Sequence, residues 1–119
     1  MAKSPRRDPR SLLPLTLPVC HILLALADGE RHGYAIILEI ARRTDGAVRL
    51  RTGTLYTALA RMLKLGLIEE SAERPDPESD DERRRYYRIT PFGREVAKAE
   101  AARMRALVAL AADKKVLVR

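Results

Sequence analysis

The segment from Thr52 to Gly66 constrains this chain more than any other. Leu55, Leu59, Met62 and Leu63 fall at i, i+4, i+7 and i+8, the spacing of one buried helical face. Thr54, Thr57, Arg61 and Lys64 repeat on the other side of the same helix. Thr52 is a candidate N-cap, and Gly66 stands where a left-handed stop is expected. Immediately after the stop, Leu67-Ile68-Glu69-Glu70-Ser71 reads as a strand. An acidic, Pro-containing loop over Arg74 to Asp81 follows, then a second strand from about Arg84 to Ile89. Alternation puts Tyr87 and Ile89 on one face of that strand and Tyr86 and Arg88 on the other. A helix running straight into a long-looped hairpin makes a helix and a wing.

The flanks complete the order. Residues 1–15 hold Pro5, Pro9 and Pro14 among Lys3, Arg6, Arg7 and Arg10, without apolar periodicity, and read as a flexible basic arm. Thr16 is a cap and Pro18 is tolerated in the first turn of a helix carrying Val19, Ile22, Leu23 and Leu26, stopped by Asp28-Gly29. A second helix spans about Tyr34 to Arg43 with Ile36, Ile37, Ile40 and Ala41 in one stripe, and Asp45-Gly46 ends it. Val48-Arg49-Leu50 has the makings of a very short strand. Thr90-Pro91 opens a last helix reaching toward Leu117, longer at ~1.5 Å per residue than so small a domain can cover. The division expected is an arm over 1–15, a helix-and-wing domain over 16–90 and a C-terminal helix over 91–119.

Composition sharpens this. The 119 residues have room for one core, yet contain one Phe, four Tyr and no Trp. Small aliphatics must build that core, so further burial through oligomerisation is expected. The single cysteine excludes an internal disulfide and a multi-Cys zinc site. No apolar run approaches the ~20 residues of a membrane span, and no signal-peptide apolar segment directly follows the basic N-terminus. A cytoplasmic protein is expected. The net charge is +7, but residues 69–82 carry eight acidic side chains against Arg74, leaving +14 on the remainder. So basic a body attracts polyanions, nucleic acid first among them.

Helix, helix, helix, hairpin, helix is the winged helix-turn-helix order, in which the third helix enters a major groove. The fold class expected is mainly α with a small β-hairpin. The segments His32-Gly33-Tyr34, Gly53-Thr54-Leu55-Tyr56, Leu59-Ala60-Arg61-Met62, Gly66-Leu67-Ile68 and Tyr86-Tyr87-Arg88-Ile89-Thr90-Pro91-Phe92-Gly93 together resemble the PadR-type transcriptional regulators. The similarity runs from about Leu12 to Leu107, and the length resembles the short members with one C-terminal dimerisation helix. The resemblance implies a homodimeric repressor on a roughly palindromic double-stranded DNA operator, often released by a small aromatic or hydrophobic effector. By position, Gly53 to Tyr56 resembles the start of the recognition helix, with Tyr56 on phosphate and Leu55 facing the core. The family's drug-binding members use interface tryptophans, which this chain lacks.

The DNA-binding residues expected are Tyr34, Thr52, Thr54, Tyr56, Thr57, Arg61, Lys64, Arg84 and Arg88. Arg61 suits guanine, and the threonines suit thymine or phosphate. Tyr56 reads either as a core-edge residue or as a phosphate donor. Arg83 to Arg85 and Arg88 either balance the acidic loop or track the DNA backbone. Val96, Met104, Leu107, Val108 and Ala111 form the expected dimerisation stripe. An effector pocket, if present, is expected between the last helix and the core. Cys20 reads as a core cysteine, and His21 and His32 make no metal site. Glu95, Glu100 and Asp113 read as solvated charge partners on a basic helix. No phosphate-cradling glycine loop, nucleophile elbow or catalytic triad spacing is present, so neither an enzyme nor a cofactor is expected. The competing reading is a winged-helix interaction or ligand-sensing module whose basic face is incidental.

Overall fold

The computed structural model describes residues 7–71 and 85–117. Four helices carry the architecture: α1 (Leu17–Leu26), α2 (Gly33–Arg43), α3 (Thr52–Leu65) and α4 (Pro91–Asp113). Three short strands, β1 (Arg31–His32), β2 (Ile68–Glu70) and β3 (Tyr86–Ile89), pair antiparallel in the order β1-β3-β2. Ile68 lies opposite Ile89, and Tyr87 stands between Glu70 on one side and Arg31 on the other. The chain is mainly helical with a small sheet, in winged-helix order. The third strand, β1, was not expected, since two residues are too few to show a period. Val48, Arg49 and Leu50 belong to no strand.

Local chemistry explains the helix ends. The Thr16 hydroxyl accepts from the Val19 N–H at 3.4 Å, and Pro18 sits in the first turn of α1. His32 caps α2 with its ring, Nδ1 accepting from the Ala35 N–H at 3.1 Å. Thr90 accepts from the Gly93 N–H at 2.9 Å and donates to the Gly66 carbonyl at 2.5 Å, tying α4 to the end of α3. Gly66 itself has φ +75°, the left-handed stop of α3. Thr52, in contrast, is not the N-cap. The helical ladder starts one residue earlier, with the Leu55 N–H on the Arg51 carbonyl at 2.9 Å, so Arg51 holds the cap position without a side-chain cap bond.

The core is aliphatic. Ile22, Leu23 and Leu26 of α1 meet Ile36 and Ile40 of α2, Leu55, Leu59 and Met62 of α3, Leu67, Ile68, and Tyr87 of β3. Val96 of α4 is fully buried in the same cluster. This corrects its placement on the dimerisation stripe: the first half of α4 closes the core of its own chain. Position 90/91 is accordingly no boundary between packing units. At Gly93 a Cβ would collide with the Leu67 carbonyl, so α4 rests directly on the backbone leading into β2.

Residues 7–15 are not a free arm. A 3₁₀ turn over Pro9–Leu12 and the leucines Leu12, Leu13 and Leu15 pack against the core. Arg7 donates to the Leu65 carbonyl and lies 4.7 Å over the Phe92 ring. The leucines between the prolines supply the apolar surface that holds the segment down, although they lack a regular period. Lys3 and Arg6 lie outside the described residues. Glu100 is also corrected, being 1% exposed. It accepts the Leu15 N–H at 2.7 Å and pairs with Arg103, so it anchors the N-terminal segment to α4. That pairing holds its carboxyl below the usual carboxylate range. The helix itself stops at Asp113, where Lys114 caps and Lys115 turns to φ +60°, short of Leu117.

Candidate nucleic-acid interface

Helix α3 divides cleanly into two faces. Leu55, Ala58, Leu59 and Met62 are buried, whereas Thr52, Gly53, Thr54, Tyr56, Thr57, Arg61 and Lys64 are exposed. The first turn of α1 flanks this face, and Thr16, Pro18, Thr54, Thr57 and Arg61 border an open groove of about 480 Å³ between the two helices. Expected contacts from α3 therefore share one solvent-facing surface. Neither Arg61 nor Lys64 makes an ion pair among the described residues.

Tyr34 opens α2 and is 63% exposed. Tyr56 lies at the junction of the two helices: a Cβ on Gly33 would come within 2.7 Å of its hydroxyl oxygen. Its ring is 38% exposed, so it combines a packed edge with a hydroxyl near the start of α2. His32 completes the corner by meeting Tyr86 edge-on at 5.4 Å.

The wing is different. Arg88 contacts Glu69 at 2.7 Å and Glu30 at 3.7 Å, and Arg85 contacts Glu70 at 3.2 Å. Arg84 lies outside the described residues, as does the acidic loop over Arg74 to Asp81. A second internal cluster centres on Glu39, which is 7% exposed and receives Arg42 at 2.7 Å, Arg43 at 3.0 Å and Arg31 at 3.7 Å. Hydrogen bonds from Arg43 and Arg42 hold its carboxyl down to about 2. Two exposed arginines passed over in the sequence reading, Arg49 and Arg51, stand in the turn just before α3. Their signal was the alternation of the apolar Val48 and Leu50 with Arg49 and Arg51.

Met104, Leu107 and Val108 of the expected stripe are exposed and Ala111 is half-buried. Every residue from 101 to 110 is exposed, so the second half of α4 projects past the core. Between α4 and the core, among the described residues, lies a crevice of about 40 Å³, lined by Leu15, Cys20, Leu23, Leu24, Ala97, Ala101 and Met104. A larger groove of about 440 Å³ runs between α1 and α2 beside Leu24, Ala25 and Ile40, with His21, Asp28 and Arg43 at its edge. Burial pushes the Cys20 thiol up, against reactivity. Among the described residues no group of three or more His, Cys, Asp or Glu is placed to hold a metal. No described helix is long and apolar enough to cross a membrane.

Residues 22–99 match the model of the transcriptional regulator PadR-like family. The chain belongs to that family. The matched PadR-like region takes in the second half of α1, all of α2 and α3, both wing strands and the first part of α4. These are transcriptional regulators, not enzymes. The chain is similar to a solved transcriptional regulator from Clostridium thermocellum, with 33% identity, a TM-score of 0.67, and 84% of this chain and 90% of that one covered. A PadR family regulator from Clostridium difficile shares the fold at 22% identity and a TM-score of 0.66, covering 82% and 97% of the two chains. It is also 38% identical, over 73 residues, to an uncharacterized protein X of Lysinibacillus sphaericus, covering 61% of this chain and 64% of that one. An uncharacterized 37.1 kDa transposon protein of Streptomyces fradiae is 40% identical over 80 residues, covering 67% of this chain and 21% of that one. The chain thus spans less than two thirds of the length of either of these two relatives.

Proposed function

We propose that this PadR-like protein is a cytoplasmic, homodimeric, sequence-specific DNA-binding repressor acting on a palindromic operator. The observation that carries the reading is the exposed face of α3, where Thr54, Thr57, Arg61 and Lys64 project from a helix whose other face is locked into the core. A rigid helix presenting hydroxyls and unpaired cations suits a major groove, where base edges offer acceptors and thymine methyls. Tyr34 and Tyr56 supply hydroxyls beside that face, and Thr52 opens it. Arg84 and Arg88 are the wing's candidates for backbone contact. Met104, Leu107, Val108 and Ala111 pair with a second copy, which supplies the two-fold axis. A small apolar effector would bind where that second copy enlarges the crevice beside Met104 and Cys20, since ~40 Å³ is room for about one water.

Selection of duplexes from a random pool by the purified protein tests this. Wild type is expected to enrich a two-fold symmetric sequence with half-sites about one helical turn apart. Arg61→Ala is expected to flatten preference at one base position per half-site, since a bidentate arginine–guanine pair discriminates by ~1–3 kcal/mol. Failure of wild type to enrich any sequence overturns the reading. An unchanged Arg61→Ala profile removes Arg61 from base readout.

A further inference from the structure

We infer that Arg49 and Arg51, in the extended turn feeding α3, are phosphate-binding residues, an assignment that rests on the DNA-binding reading above. The turn alternates: Val48 and Leu50 pack against the core, while Ala47, Arg49 and Arg51 face solvent. Side chains two apart on an extended segment share a face and stand about 6.6 Å apart. One DNA strand presents a charge every ~3.4 Å of helix axis, so the two guanidiniums reach separate phosphates. Gly46, at φ +81°, lets the turn fold back beneath Arg49; a Cβ there would come 3.2 Å from the guanidinium. Arg51 holds the cap position of α3, immediately before the exposed Thr52 and Thr54.

The distribution of charge partners separates these residues from the other cations. Arg31, Arg42 and Arg43 converge on Glu39. Arg85 and Arg88 face Glu70, Glu69 and Glu30. Arg10 faces Asp8, and Arg7 and Arg94 donate to the carbonyls of Leu65 and Ala27. Among the described residues before α4, the cations left without such a partner are Arg49, Arg51, Arg61 and Lys64. All four lie on α3 or on the turn into it. Before α4, folding therefore gives the other cations carboxylate or carbonyl partners and leaves these four exposed along one edge, whereas from α4 onward Arg105, Lys114 and Lys115 also lack such a partner among the described residues. Arg61 and Lys64 lie on the groove-facing side of α3, whereas Arg49 and Arg51 precede the helix, where a strand backbone passes a helix inserted by its first turns.

The experiment measures binding of a short DNA duplex of arbitrary sequence against salt, using the full chain. A phosphate contact contributes about 0.9 to the slope of log K against log salt. Arg49→Gln with Arg51→Gln is expected to lower the slope by about 1.8 per protomer. Arg105→Gln with Lys115→Gln removes equal charge from exposed positions at and beyond the projecting half of α4 and is expected to leave the slope unchanged. Arg49→Lys with Arg51→Lys is expected to keep most of it, and thermal melting checks that each variant folds. A wild-type slope for the Arg49→Gln, Arg51→Gln protein overturns this inference alone. So does an equal loss in the α4 variant, which would make the effect one of total charge. A wild-type protein with no salt-dependent DNA binding overturns the DNA-binding reading itself.

Discussion

At the scale of single residues, Glu39 shows how a charge inside a small domain is held. Its carboxylate is nearly buried and receives Arg42, Arg43 and Arg31. A charge so placed is tolerable because its partners come with it, and removing one side leaves the others uncompensated. The carboxyl titrates at about 2 in the folded chain, below its ordinary 4.5. A depressed folded value means stability that is present above the unfolded value and lost as pH falls through the folded one. Glu39→Gln is expected to melt at a lower temperature than wild type at neutral pH. The gap between the two should close as pH drops from about 5 toward 2. Thermal melts at several pH values check this, and parallel curves would show that ionisation of Glu39 adds nothing to stability. The i, i+3 and i, i+4 spacing of Glu39 to Arg42 and Arg43 is a helical pairing signal that the sequence reading passed over. The arrival of Arg31 from β1 leaves no such signal, because it depends on a strand pairing.

At the scale of elements, the parts with strong periodicity or a capping pair were readable, and those held by a few long-range contacts were not. Leu55, Leu59 and Met62 with Gly66 defined α3, and Thr16 and Thr90-Pro91 fixed two helix starts. The segment 7–15 escaped because its anchors are an arginine on a carbonyl and an N–H on Glu100. Neither leaves a repeating pattern. Val96 was assigned to the right stripe of α4 but the wrong partner, since helical spacing does not say where the core ends along a helix. The exposed face of α3 was readable, whereas Arg49 was hidden in a stretch read as a possible strand and Arg51 stood between that stretch and the expected cap at Thr52. Glycines show the same contrast. At Gly93 a methyl would strike the Leu67 carbonyl, while at Gly53 a Cβ would meet nothing within 4 Å. Gly93→Ala is expected to destabilise by ~1–3 kcal/mol through overpacking against backbone. Gly53→Ala should be neutral or slightly stabilising, because alanine is the better helix former. Urea denaturation distinguishes them: the midpoint falls for the first only, with an unchanged slope in both.

At the scale of the whole molecule, α4 does two jobs along one stripe. Its first half buries Val96 and Glu100 in its own chain, and its second half carries the same stripe into solvent. The 13 residues from Ala101 to Asp113 extend about 20 Å at ~1.5 Å each. Along them Met104 is 37% exposed, Leu107 58%, Val108 53% and Leu110 51%. Leu24 of α1, 57% exposed, lies next to Ala101 and Met104 at the base of this surface. Apolar side chains so grouped gain ~25 cal/mol per Å² when a partner covers them, before association entropy is subtracted. A second copy related by a two-fold axis would cover them and set two α3 helices about 34 Å apart, one DNA turn. Leu107→Asp is therefore expected to yield a folded monomer, because the residue touches no core, and to lose tight operator binding while α3 stays intact. Val96→Asp should instead unfold the chain, which separates the two halves of the stripe. Sedimentation at micromolar concentration, with operator binding measured alongside, decides between them. A monomeric wild type would remove the dimer reading, and a Leu107→Asp dimer that still binds its operator tightly would place the pairing surface elsewhere.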